Sequence, residues 1–142
     1  MKADERLKAA IPALSGEEIL AKVTGIEKMA YIEPFVFGNY PGPHITPEMM
    51  LELSKITKEF IDRPDIAGVI ITHGTDSLEE TAYFLDLILH EQKPIVITGA
   101  MRNSSELGYD GPANLAASIC TVCSSESMNK GVLVVMNNQV NS

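Results

Sequence analysis

Three short apolar runs, Ile66 to Thr72, Pro94 to Thr98 and Gly131 to Met136, are each separated from the next by a stretch long enough for a helix. Those stretches repeat their apolar residues at helical spacing: Leu78, Ala82, Leu85 and Ile88 or Leu89 in the first, Leu115, Ile119 and Val122 in the second. A strand with one wet face alternates apolar and polar residues, whereas a strand that is apolar throughout is covered on both sides. The pattern therefore predicts an α/β fold, a doubly wound parallel sheet with helices on both faces and right-handed crossovers. Helices are expected from Ser77 to His90 and from Pro112 to Ser124, the second preceded by a long loop from Gly99 to Gly111.

Upstream, Ser15-Gly16-Glu17-Glu18 reads as a capping box, followed by a short helix with Ile19, Leu20 and Val23 on its apolar face and Gly25 at its end. Met29 to Phe37 is apolar enough for a strand, and Glu33-Pro34 within it points to a sheet edge. Asn39 to His44 is expected to be irregular because two prolines and a glycine interrupt any ladder. Thr46-Pro47 then supplies a cap and a first-turn proline for a helix whose core face carries Met50, Leu53, Ile56 and Phe60.

At 142 residues, with 45% apolar and 21% charged residues, the chain fits one soluble domain. No apolar run approaches the roughly 20 residues that span a bilayer, and Met1 to Arg6 lacks a signal-peptide core, so no membrane partner and a cytoplasmic address are expected. A net charge of −8, with Lys and Arg scattered, repels phosphate backbones and argues against nucleic acid. The expected partner is a small molecule. Cys120 and Cys123 form a C-x-x-C, but there is no second pair and no suitably spaced histidine. They are read as two core-lining helix residues, and no metal is expected. G-x-G-x-x-G and P-loop patterns are absent, so no cofactor is implied.

Ligands of open parallel sheets bind beyond the carboxyl ends of the strands. Here those ends are Thr72-His73-Gly74-Thr75-Asp76, Thr98-Gly99-Ala100-Met101-Arg102 and Asn137-Asn138, which should converge. The first leads into a helix whose opening N–H groups lack partners and carry partial positive charge. Gly74 permits a tight turn, Thr75 offers a hydroxyl and Asp76 a carboxylate. Asp76 with Glu79 is equally a helix-capping pattern and Thr75 can bond locally; capping and ligand contact are compatible. Gly99 and Ala100 leave backbone groups accessible, and Asp110 is placed near the cap of the next helix. His73 is a base or a satisfied structural histidine, and the lack of a Ser or Cys nucleophile motif favours the structural role.

These residues resemble a known family. Ile70-Ile71-Thr72-His73-Gly74-Thr75-Asp76-Ser77-Leu78-Glu79-Glu80-Thr81-Ala82 is similar to the second signature of bacterial-type L-asparaginases. Lys93 to Arg102, Asp110 to Leu115 and Lys130 to Asn137 extend the resemblance, which runs from about Pro12 to the end. It implies hydrolysis of L-asparagine, and often L-glutamine, through a threonine nucleophile and an acyl-enzyme. Catalytic roles then fall to Thr75, in a group that activates the nucleophile, and to Asp76, which grips the substrate's α-ammonium group; Gly74 and Ala100 line the same pocket. A homodimer or homotetramer is implied, and no metal or cofactor.

The chain departs from that pattern. No G-G-T-I nucleophile segment occurs, nor the R-D-V-T-K segment that carries the family's catalytic lysine, and Gly42 stands where the family carries a serine for the substrate carboxylate. Residues 1–142 are thus expected to be an asparaginase N-terminal domain truncated at both ends, lacking the first strand and the C-terminal domain, and inactive alone. The alternatives are an asparaginase-like subunit of a glutamyl-tRNA amidotransferase and a non-catalytic amino-acid-binding or assembly module.

Overall fold

A computed structural model describes residues 2–4, 9–11 and 16–142. Strands β1 (Lys2–Asp4) and β2 (Ala9–Ile11) pair antiparallel as a separate two-stranded sheet. Helix α1 (Gly16–Leu20) follows; Ser15, the expected cap, lies outside the described residues. Helix α2 (Pro47–Ile61) starts as its sequence prescribes. The Thr46 hydroxyl accepts from the N–H of Met49 at 3.3 Å, and Pro47 occupies a position where a missing N–H costs nothing.

Strand β3 (Val69–Thr72), helix α3 (Leu78–Ile88), strand β4 (Ile95–Thr98), helix α4 (Gly111–Val122) and strand β5 (Val132–Met136) realise the expected alternation. β3, β4 and β5 are parallel, with Val69 opposite Ile95 and Ile95 opposite Val132. The two sides of the pleat then sort the strand residues. Ile95, Ile97 and Val132 pack with Leu78, Leu85 and Leu89 of the α3 segment and with Leu53 and Ile61 of α2, whereas Val96, Leu133 and Val135 pack toward Ala117 and Val122 of α4. Both faces are covered, which is why these strands read as unbroken apolar runs. Leu89, rather than Ile88, is the inward residue at the end of α3.

The sheet is mixed rather than wholly parallel. Strand β6 (Gln139–Asn141) returns antiparallel along β5, with Met136 opposite Gln139. Asn137 and Asn138, both at positive φ, form the two-residue turn between them, a conformation Asn tolerates better than most residues. Two other expectations are corrected. Met29 to Phe37 forms no strand: residues 30–41 carry no regular structure, and Pro34 lacks the N–H a ladder needs. This segment is held by Arg63, whose guanidinium meets both oxygens of Glu33 at 2.8 Å, and by an edge-to-face contact between Phe35 and Phe60. Cys120 and Cys123 are free, exposed thiols, because the buried stripe of α4 runs through Leu115, Ser118 and Ile119 and leaves Cys120 on the outer side with Ala113. No described helix is long and apolar enough to cross a membrane.

Candidate functional site

β3 is an edge of the four-stranded sheet. The N–H groups of Val69 and His73 donate to Pro94 and Thr98 of the β4 side at 3.0 and 2.8 Å. In a parallel ladder the alternate residues, Ile70 and Thr72, point their N–H and C=O groups to the opposite edge. Along that edge runs a cavity of about 920 Å³, walled by the extended segment 30–40 on the far side and by residues of α2 and α4 above and below. It reaches from Gly68 to the turn after β3, where His73, Gly74, Thr75, Gly99 and Ala100 line its upper end.

Three loops are packed closely here, and glycine makes the closeness possible. A β-carbon on Gly99 would stand 2.6 Å from the carbonyl oxygen of His73 and 3.3 Å from Cγ2 of Thr75. One on Gly74 would stand 3.1 Å from the nitrogen of Gly42, and one on Gly42 only 3.1 Å from Oδ2 of Asp76. Ser77 completes the join, its hydroxyl donating to the carbonyl of Gly42 at 2.7 Å. Ser77, not Asp76, is the N-cap residue of α3, and no side chain caps that helix. The capping role considered for Asp76 is thus not taken up.

Thr75 is half-buried at the cavity and Asp76 is exposed on the rim beside it, against Gly42 rather than in the lining. Neither the Thr75 hydroxyl nor the Asp76 carboxylate hydrogen-bonds a described residue. Both are therefore available to a ligand, next to the opening turn of α3 and its unpaired N–H groups.

His73 has the structural role. Its Nδ1 lies 2.7 Å from the carbonyl oxygen of Gly74 and its Nε2 3.0 Å from the hydroxyl of Thr81. A carbonyl only accepts, so Nδ1 carries the proton and Nε2 accepts from the threonine hydroxyl. The ring thereby ties the turn to α3. Burial pushes its pKa below the ordinary histidine value, against opposing contributions from the Gly74 bond and Glu80.

Asp110 sits at the N-cap position of α4, but its carboxylate does not cap that helix. It accepts instead from the N–H groups of Met101 and Arg102, at 3.1 and 2.9 Å. Burial raises its pKa, yet these two bonds and that from Asn114 outweigh the effect and hold the carboxyl below the usual carboxylate range. At the tips of β4 and β5, Thr98 donates to Val135 O at 2.6 Å and Asn137 N–H donates to Asn114 at 2.9 Å. The three strand ends do converge. Asn114 was given no role by sequence reasoning; only its four-residue offset from Asp110, one helical turn, signals the pairing.

The chain is an α/β domain, with a turn of small and polar residues bearing an unengaged hydroxyl and carboxylate at the carboxyl ends of its parallel strands, where domains of this class bind small ligands. The family model for the asparaginase N-terminal domain matches residues 1–142 throughout, and the chain belongs to the asparaginase family. It is 41% identical over 133 residues to a probable L-asparaginase 4 of Schizosaccharomyces pombe, covering 93% of this chain and 37% of that protein. A glutaminase-asparaginase of Acinetobacter glutaminasificans is 39% identical, with 93% of this chain and 37% of that protein covered. The crystal structure of a probable cytoplasmic L-asparaginase from Campylobacter jejuni superposes with a TM-score of 0.86 at 40% identity, over 94% of this chain and 42% of that one. The chain thus spans about two fifths of the length of these relatives.

Proposed function

We propose that this domain is the body of an L-asparaginase-type amidohydrolase, converting L-asparagine and water to L-aspartate and ammonia, with L-glutamine as a second substrate. The observation that carries the reading is Thr75 and Asp76, adjacent and both unengaged, at the mouth of a cavity beside strand tips. Asp76 pairs with the α-ammonium group, a charge-assisted bond that fixes the amino acid's orientation. Thr75 presents its hydroxyl toward the side-chain amide, in a group that activates the nucleophile. Gly74 and Ala100 supply the pocket's backbone walls. The address is cytoplasmic, as the Campylobacter relative's name states for that protein, and the enzyme acts as a homodimer or homotetramer.

The same site is incomplete within residues 1–142. Among the described residues lining the cavity there is no lysine to take a proton from a hydroxyl. β3 ends the sheet among the described residues, and its outer edge faces the cavity. The 142-residue chain alone is inactive. Full-length enzyme is expected to release ammonia from L-asparagine, and the isolated chain to release none; no release by the full-length enzyme from either amide removes the reading.

The lack of a lining cation also favours a second reading, an amino-acid-binding module that uses Asp76 only for the ammonium. Calorimetry with L-aspartate separates the two: saturable binding by a full-length protein that hydrolyses nothing supports the module.

A further inference from the structure

Asn114 lies in the first turns of α4, 2% exposed, and its side-chain amide is fully engaged. Nδ2 donates to the carbonyl of Gly99 at 2.9 Å and to Oδ2 of Asp110 at 3.0 Å, while Oδ1 accepts from the N–H of Asn137 at 2.9 Å. One buried side chain therefore links the end of β4, the start of α4 and the end of β5. Asp110 extends the link by accepting from Met101 and Arg102. Residues 99–102 make no backbone-to-backbone hydrogen bond among the described residues, so these two side chains carry the turn. The turn in its place touches the site: Gly99 stands directly against His73 and Thr75.

We propose that Asn114, with Asp110, is a positioning residue of the candidate site: its buried amide suspends the Gly99–Arg102 turn beside Thr75 and so fixes the Ala100 wall of the pocket without touching substrate. This rests on the amidohydrolase reading. Displacing that wall misorients the amide relative to the Thr75 hydroxyl but leaves the ammonium contact of Asp76 in place, so kcat should suffer and KM should not.

The test uses the full-length enzyme with Asn114→Leu, of similar size without the amide, and the milder Asp110→Asn, which cannot accept both N–H groups as well. Asn114→Leu is expected to lower kcat about a hundredfold, and Asp110→Asn about tenfold, with KM within about threefold. Amide exchange at Met101 and Arg102 should quicken roughly tenfold in both variants. Thr121→Gly, in the same helix and outside both the network and the cavity lining, controls for general weakening of α4 and should keep kcat per folded molecule. Values of kcat within about twofold of wild type, unchanged exchange at Met101 and Arg102, or an equal loss in Thr121→Gly each overturn the proposal. If Asn114→Leu does not fold, Asp110→Asn decides. If wild type releases no ammonia, the amidohydrolase reading fails, and the exchange measurement alone decides whether Asn114 holds the turn.

Discussion

Asp76 and His73 sit three residues apart yet are treated oppositely by their surroundings, one left to solvent and one locked between a carbonyl and a hydroxyl. If Asp76 holds an ammonium group, Asp76→Asn in the full-length enzyme keeps the shape and removes the charge. KM should then rise roughly tenfold to a hundredfold, the value of one charge-assisted bond, and steady-state kinetics with L-asparagine will show it. For His73 the folded state disfavours the proton, so the unfolded chain binds more protons as pH falls. Its contribution to stability is complete above the unfolded value near ~6.5 and is lost as pH drops from there through the folded pKa. Chemical denaturation across that window should show the loss, and His73→Gln should flatten it. At this scale the sequence was half legible. The sequence puts Thr75 and Asp76 just after the β3 strand, as the structure has them, but gives no sign of the partners of Ser77 and Asp110, because both reach residues outside their own helix. A cap is a local pattern; a bond from Ser77 to Gly42 spans 35 residues.

The elements that read well are those whose own residues decide their burial. α2 has its cap, its proline and a periodic apolar stripe, and it appears within a residue of its expected start. Removing the cap with Thr46→Ala should cost about 1 kcal/mol in urea unfolding. α3 depends on packing, with Leu85 fully buried between sheet and α2, so Leu85→Ala should cost about 2–5 kcal/mol by the same measurement. The elements that misread are those whose fate lies elsewhere in the chain. Met29 to Phe37 has strand-like composition, but a strand needs a ladder, and the cavity separates this segment from β3. β6 is polar and exposed; its signal was the Asn137-Asn138 pair, which reads as a strand end until the left-handed turn is recognised. Cys120 falls on the outer side of α4, because two residues cannot fix the rotation of a stripe, and Cys123 lies just past the helix end, exposed at the cavity.

For the whole molecule, the parallel β3-β4-β5 core brings three distant loops together, and Gly42, Gly74 and Gly99 let them touch. Among the described residues β3 is an unpaired edge facing a cavity of about 920 Å³, and an edge of that kind invites a partner strand. Amide exchange should find Ile70 and Thr72 unprotected in the isolated 142-residue chain and protected in the full-length enzyme; protection in both would place another segment of this chain on that edge. The most direct measurement of the account is the turnover of L-asparagine by full-length enzyme before and after Thr75→Ala. Loss of one methyl-bearing hydroxyl at a half-buried site leaves the fold intact, so kcat should fall roughly a thousandfold or more with KM little changed. Near-normal turnover by a folded Thr75→Ala enzyme would contradict the assignment of chemistry to this strand tip.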